Sequence, residues 1–438
     1  MEQYSVVEVC AGAGGQALGL EAAGFTHELA VEIDPDACAT LRRNRPHWKI
    51  AQGDATSPYV WKPSRYRDKV DLLAGGVPCP PFTVAGKQLG ATDERDLYAW
   101  AIELCGTVRP RALLLENVPG LSLPRFAAYR QHVLARLAEL GYAAEWQFLH
   151  ASDFGVPQLR PRYVLVAMRP DDFAYFTWPQ PRPGKPPTVG EALADLMAAN
   201  GWPGAGAWSG KANGIAPTIV GGSKKHGGAD LGPTRAKNAW RELGVDARSV
   251  ADAAPPASAP DTLIPKLTTA MVARIQAIPD SWVLTGLKTA KYRQLGNALP
   301  PPVAQSVGEQ IRIAFSRVPG QGHHRRPAAV THDPVYAVLR ADGGFLTLPQ
   351  ILARAGLPID TAALEQRLDC LARDFTIERR NEPGTDGPAV KLGRLKSLAA
   401  GPDDYLLHEQ IRRITARKPP VPRPPAAPVP GADPSLRM

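Results

Sequence analysis

Val6-Val7-Glu8-Val9-Cys10-Ala11-Gly12-Ala13-Gly14-Gly15 decides the architecture. Its first half is a short β-branched run of the kind that forms a buried strand, and its second half is a glycine turn. Gln16 to Ala23 follows with helical character. Strand, glycine turn and helix in that order open a doubly wound, mostly parallel α/β sheet with a nucleotide-type site at the carboxyl end of its first strand. The glycine spacing is not the six-residue dinucleotide fingerprint, so a nicotinamide cofactor is not indicated. The next strand, His27 to Val31, ends in Glu32-Ile33-Asp34, where a carboxylate can accept from both hydroxyls of a ribose. A third unit ends in Gln52-Gly53-Asp54, whose carboxylate suits an adenine amino group. Each of these acids also reads as an ordinary exposed strand end; three consecutive strand ends carrying glycine or acid point to a nucleoside cofactor.

The rhythm continues with Val70-Asp71-Leu72-Leu73-Ala74 running into Gly75-Gly76-Val77-Pro78-Cys79-Pro80-Pro81-Phe82-Thr83. Prolines on both sides leave Cys79 few backbone conformations. A cysteine held so is either a positioned nucleophile or a small buried hydrophobe. After Ala85-Gly86-Lys87, a helix is predicted from about Asp93 to Val108, and then a strand, Ala112 to Leu115, that delivers Glu116 to the same sheet edge. Partial burial there is expected to raise the Glu116 pKa so that it can hold a proton near neutrality, unless it merely caps a turn. Further on, a helix (Tyr129 to Leu140), a strand (Ala144 to Leu149) and a last strand (Tyr163 to Ala167) are predicted. Just before that last strand, Arg160 and Arg162 alternate along an extended segment and so point to one side. They suit a carbonyl oxygen or phosphate, or are surface arginines.

Composition bounds the function classes. The 438 residues carry 51 basic against 42 acidic side chains, a formal +9 with a pI near 9.3, which fits a polyanionic partner. No run of eighteen apolar residues argues for a membrane span. The first residues lack the basic and apolar regions of a signal peptide, so a cytoplasmic location is expected. The five cysteines (10, 38, 79, 105 and 370) show no paired spacing, so free thiols and no metal are expected.

Taken in order, these stretches resemble the C5-cytosine DNA methyltransferase family of bacterial type. Gly12-Ala13-Gly14-Gly15 resembles its first motif, and Pro78-Cys79 through Ala85-Gly86-Lys87 its nucleophile motif. Glu116-Asn117-Val118 and Gln158-x-Arg160-x-Arg162 resemble the next two. Lys266-Leu267-Thr268 through Ile278-Pro279-Asp280-Ser281-Trp282 is similar to the ninth motif, and Tyr292-Arg293-Gln294-Leu295-Gly296-Asn297-Ala298 to the tenth. Glu8 and Cys10 stand where the family usually has Asp and Phe, and Pro80 where many members have Gln. The resemblance implies an S-adenosylmethionine-dependent, sequence-specific DNA (cytosine-5)-methyltransferase that flips its target base out of the duplex. It implies catalytic roles for Cys79, Glu116, Arg160 and Arg162, with Cys79 adding to C6 and the methyl group going to C5. Cofactor contacts are implied for Cys10, Ala11, Gly12, Gly14, Gly15, Glu32, Ile33, Asp54, Pro78, Leu97, Asn297 and Ala298.

By the same resemblance, residues 1–172 form the catalytic domain, completed by 288–318, and 173–287 an inserted, irregular target-recognition domain. Lys87, Arg95, Lys224, Lys225, His226, Arg235 and Lys237 are expected to contact duplex DNA, chiefly through the Gly221–Gly228 loop. Residues 319–333 read as a linker and 334–417 as a small, helical and winged-helix-like accessory domain, with helices at Leu348 to Ala355 and Thr361 to Ala372. Residues 418–438 are proline-rich and expected to be disordered. A monomer near the nucleoid is expected, with any cognate restriction endonuclease a separate chain. Two other readings stand beside this one: an RNA cytosine-5 methyltransferase, and an idle DNA-binding scaffold. Competition between duplex DNA and tRNA separates the first, and a trapped adduct on 5-fluorocytosine DNA the second.

Overall fold

Apolar residues at alternate positions pack both faces of a seven-stranded sheet in the computed structural model, which describes residues 3–77, 97–123, 126–221, 228–318, 333–381 and 387–395. In chain order the first elements are β1 (Tyr4–Val9), α1 (Gly15–Ala22), β2 (Phe25–Glu32), α2 (Pro35–Asn44), β3 (Ile50–Gln52), β4 (Leu72–Gly75) and α3 (Leu97–Val108). They are followed by β5 (Ala112–Asn117), α4 (Ala127–Glu139), β6 (Ala143–His150) and β7 (Pro161–Met168). The strand order is β3-β2-β1-β4-β5-β7-β6, with β7 antiparallel to both of its neighbours and the remaining pairs parallel. Val7, Val9, Leu73, Leu113, Leu115 and Leu165 share one buried cluster with Ile102 of α3 and Tyr129 and Val133 of α4. Their neighbours Val6, Leu72, Leu114 and Val164 point the other way, as the period of two requires, into a second cluster.

That second face is closed by a helix far along the chain. After α5 (Pro170–Phe173) come α6 (Val189–Ala198), α7 (Ala205–Lys211), α8 (Thr234–Glu242), α9 (Thr269–Ile275), α10 (Lys288–Asn297) and α11 (Pro301–Ser316). Val303, Val307 and Ile311 of α11 pack beside Leu20 of α1. The two helices approach so closely that a methyl on Gly19 would sit 2.3 Å from the Pro301 carbonyl oxygen. The chain therefore returns to its first strand after leaving the sheet. Between Phe173 and Thr285 the described residues form short helices joined by irregular chain and isolated bridges. The tryptophans of this stretch are its core: Trp202, Trp208 and Trp240 are buried together.

After residue 332 the chain forms α12 (Pro334–Asp342), β8 (Leu346–Thr347), α13 (Leu348–Ala355), α14 (Thr361–Asp374), β9 (Phe375–Arg380) and β10 (Ala389–Leu395). Its strands pair antiparallel in the order β8-β10-β9, so a small sheet stands beside the helices, and β9 covers Thr376-Ile377-Glu378, a stretch whose sequence reads as a possible strand. Val335, Tyr336 and Leu339 of α12 belong to the same apolar cluster as Tyr129, Val133 and Leu137 of α4. At the rim His132 Nδ1 lies 3.3 Å from the Tyr336 hydroxyl, and Arg340 is paired with Glu139. Burial pushes the His132 imidazole down to about 4, with the Arg340 charge beside it acting in the same direction. No helix among the described residues is long and apolar enough to cross a membrane.

Candidate active site and cofactor edge

The carboxyl ends of β1, β2, β3, β4 and β5 define one edge of the sheet, and antiparallel β7 begins there. At the end of β1 the backbone takes Gly12 (φ 57°) and Gly14 (φ 91°) through the left-handed region, which glycine alone enters without a Cβ penalty. Cys10 enters it too (φ 54°), a strained position for a cysteine. Glu32 secures the turn: its Oε2 accepts from the Gly12 N–H and its Oε1 from the Asp34 N–H, both at 2.7 Å. Burial holds the Glu32 carboxyl above its ordinary range, against the lowering by those two N–H donors. A methyl built on Gly12 would meet nothing within 4 Å, so open space lies over the turn. Trp282 closes the turn from behind, donating from Nε1 to the Ala13 carbonyl at 2.9 Å and packing where a Gly14 side chain would stand.

Asp54 accepts at Oδ1 from the Thr56 N–H at 2.9 Å and from its hydroxyl at 2.8 Å, while Ile33 is exposed beside the end of β2. A carboxylate at the second strand end, a part-used carboxylate at the third, an exposed isoleucine and an open glycine turn fit an adenosyl group. Glu8, two residues before Cys10, is directed elsewhere. It is wholly buried, with His27 Nε2 3.1 Å from its Oε2 and the His27 ring stacked on Trp48. Burial also pushes the Cys10 thiol up, so that it stays neutral. Leu97, at the start of α3, packs partly buried against the main core. Among the described residues no group of three or more His, Cys, Asp or Glu side chains could hold a metal ion.

β5 delivers Glu116, which is buried and ion-paired with the Arg162 guanidinium. The pairing follows from register: Glu116 lies opposite Val164, two residues along β7 from Arg162. A methyl on Gly76 would lie 3.7 Å from Glu116 Oε2 and 3.8 Å from the Cys10 carbonyl oxygen. The chain leaving β4 thus passes directly over Glu116. Pro78, Cys79, Lys87, Arg95, Lys224, Lys225 and His226 lie outside the described residues.

Arg160 does something different from Arg162. It is wholly buried, and it donates from Nη1 to the Ile219 carbonyl at 2.7 Å. Its Nη2 donates to the Gly296 carbonyl at 2.6 Å and the Ala298 carbonyl at 2.7 Å. Its described contacts are therefore carbonyls of the 173–287 segment and of the end of α10. Two buried glutamines, Gln158 of the Gln158-x-Arg160-x-Arg162 motif and Gln276, which no motif singled out, extend this network. Gln158 accepts from the Ile219 N–H at 2.9 Å and donates to Gln276 Oε1 at 3.1 Å; Gln276 in turn donates to the Leu295 carbonyl at 2.7 Å. Here the backbones nearly touch: a methyl on Gly296 would fall 2.2 Å from the Gly221 Cα. The same contact brings Asn297 beside Gly221, while Ala298 packs on the glycine turn, its Cβ 2.9 Å from where a Gly15 methyl would stand. Arg235 is exposed on α8, whereas Lys237 is held by Asp230 at 2.8 Å.

Residues 4–312 match the family described as C-5 cytosine-specific DNA methylase. The chain is 56% identical over 414 residues to the Type II methyltransferase M.NaeI of Lentzea aerocolonigenes, covering 94% of this chain and 98% of that protein. It is 48% identical over 322 residues to the Type II methyltransferase M.NgoMIV of Neisseria gonorrhoeae, covering 72% of this chain and 99% of that one. Among solved structures it is similar in fold to a DNA modification methyltransferase encoded within an E. coli prophage. That match has a TM-score of 0.50 at 21% identity, and covers 72% of this chain and 99% of the other.

Proposed function

The chain belongs to the C-5 cytosine-specific DNA methylases, and from that premise we propose how its residues divide the work. It is an S-adenosylmethionine-dependent, sequence-specific DNA (cytosine-5)-methyltransferase. The observation that carries the residue assignment is the passage of Gly76 over the Glu116–Arg162 pair, beside the glycine turn. Gly12, Gly14, Gly15, Glu32, Ile33, Asp54, Asn297 and Ala298 hold the cofactor, with Cys10, Ala11, Pro78 and Leu97 around it. When bound there, S-adenosylmethionine supplies the electrophilic methyl group that C5 accepts.

Cytosine C5 is too weakly nucleophilic on its own, so the ring is first activated at C6 by the Cys79 thiolate. As the C6–S bond forms, the ring electrons shift toward C5 and N3, and Glu116 supplies the proton that N3 takes up. Arg162 donates to the base O2 and keeps Glu116 in place, and Arg160 ties the 173–287 segment to the end of α10. Loss of the C5 proton to solvent after methylation restores the double bond, expels the Cys79 thiolate and returns the N3 proton to Glu116. None of these contacts is available inside a stacked duplex, so the base must be turned out of it. No metal takes part in this scheme.

Glu116→Gln keeps the size and one acceptor but cannot deliver the proton, so turnover is expected to fall by about 10²–10⁴-fold. Cofactor affinity should hold; single-turnover methylation and equilibrium binding check the two separately, and an unchanged rate refutes the proton role. Base-resolution methylation sequencing of a methylation-free host expressing the chain tests the whole assignment, with 5-methylcytosine confined to one short sequence as the expected result.

Residues 173–287 form the target-recognition domain in this reading, and 334–417 an accessory domain beyond the 319–333 linker. Lys87, Arg95, Lys224, Lys225 and His226 contribute phosphate contacts. The enzyme acts as a cytoplasmic monomer at the nucleoid, paired with a separately encoded restriction endonuclease. That pairing is supported by the Type II designation of its relatives. A chain ending at Val318 is expected to keep its methylation pattern. It should melt several degrees lower, because Tyr129, Val133 and Leu137 lose apolar neighbours. A folded but inactive truncated enzyme would give the residues after Val318 a part in catalysis.

A further inference from the structure

Helix α8 stands against the segment that Arg160 and Gln158 tie to the catalytic edge. Its first turn packs Ala236 on Gly232, whose Cβ position is 3.9 Å from Val220. Val220 lies between Ile219, held by Arg160, and Gly221, held against Asn297. Trp240 is fully buried and fixes the rotation of the helix, so that the side opposite it faces outward. Arg235, Asn238 and Arg241 lie on that side at intervals of three residues, forming a shallow ridge along the helix. All three are exposed and have no side-chain partner among the described residues. Elsewhere in residues 173–287 several cations are already committed, Lys237 to Asp230, Arg248 to Asp246 and Arg274 to Asp195.

We propose that α8 is the groove-reading helix of this enzyme, with Arg235, Asn238 and Arg241 contacting base edges next to the flipped cytosine. These side chains have the chemistry for it, because arginine pairs bidentately with guanine O6 and N7, and asparagine with adenine N6 and N7 in the major groove. An α-helix fits that groove, and nine residues, about 13 Å of helix, span several base pairs. The assignment rests on the DNA-methyltransferase reading and adds to it which element sets sequence preference.

Asn238→Ala, Arg235→Ala and Arg241→Ala are compared with the wild type by methylation sequencing in a methylation-free host. kcat/KM is then measured on the wild-type site and on duplexes changed at one base pair. Wild-type methylation confined to one motif secures the premise; its absence would overturn the enzyme's function, not the role of the helix. Given that premise, each ridge variant should relax the preference at one base pair by about tenfold to a hundredfold, the scale of one bidentate contact. Its Tm should be unchanged, since only exposed atoms are removed. Wild-type discrimination in all three variants, or an equal loss on every sequence, would overturn the proposal, the second outcome assigning the ridge to phosphates.

Discussion

Replacing Cys79 with alanine is expected to abolish methyl transfer, by about 10⁴-fold or more, the scale on which nucleophile deletions fall. Affinity for duplex DNA should survive. The expectation follows from where the chain is held just before that residue. Gly75 pairs with Val9 and Leu115 in the middle of the sheet, and a methyl on Gly76 would lie 3.7 Å from the Glu116 carboxylate. Cys79 is three residues further along, and three residues of extended chain reach at most about 11 Å. A thiol tethered that near a proton donor for N3 and a guanidinium for O2 has the partners that addition at C6 requires. The phosphate and groove contacts come from other side chains, so binding and chemistry should separate. Transfer of labelled methyl groups measures the first loss, and a gel shift the retained affinity. A 5-fluorocytosine duplex adds a further readout, because fluorine at C5 blocks the final elimination and leaves wild-type protein covalently attached. Cys79→Ala turning over near the wild-type rate, or forming the same adduct, would remove Cys79 from the nucleophile role.

The architecture is readable because the strands carrying the site are local in sequence. Val6 to Val9, Leu72 to Ala74 and Ala112 to Leu115 are apolar at every position or nearly so, as strands covered on both faces must be. The acids at the ends of β2, β3 and β5 stand out against such apolar runs, so Glu32, Asp54 and Glu116 can be placed at one edge from the sequence. Partners cannot. Alternation puts Arg160 and Arg162 on one side of an extended segment and says nothing of what each meets. Arg162 finds Glu116 across a strand pair, whereas Arg160 finds carbonyls 59, 136 and 138 residues away. Gln276 looks like any polar residue until the fold buries it against Gln158, a motif residue whose partner the motif does not name. Glu8 is similarly opaque: a glutamate in an apolar strand is legible as an anomaly, but its partner His27 comes from the neighbouring strand. In the last part of the chain, the helices at Leu348 and Thr361 follow from capping residues and apolar spacing. β10 is not legible in the same way, because its stretch has little apolar alternation and its partner β9 lies beyond Pro383-Gly384 in the sequence.

Arg160→Met is expected to weaken the whole enzyme rather than the chemical step alone. Three carbonyls, those of Ile219, Gly296 and Ala298, lose their shared donor. An unsatisfied buried polar group costs about 1–3 kcal/mol, so even the low end for three approaches a large share of the stability of an ordinary domain. The position is a demanding one for arginine, since burial and the neighbouring Arg162 charge both push its guanidinium well below the usual range. Methionine fills the volume without the fork, and lysine restores a charge without the geometry that reaches three carbonyls in two directions. Arg160→Lys should therefore recover only part of the loss. The signature is a lower Tm together with a raised KM for DNA, because Ile219 and Gly221 anchor the recognition segment while Gly296 and Ala298 end α10. Arg162→Gln provides the contrast: its guanidinium lies on Glu116 at the site and not on the 173–287 segment, so kcat should drop with KM for DNA little changed, while the unpaired buried Glu116 lowers Tm as well. If Arg160→Met keeps the wild-type Tm and DNA affinity and loses only kcat, Arg160 touches the reacting base after all, and the network of Gln158, Arg160 and Gln276 is not what joins recognition to catalysis.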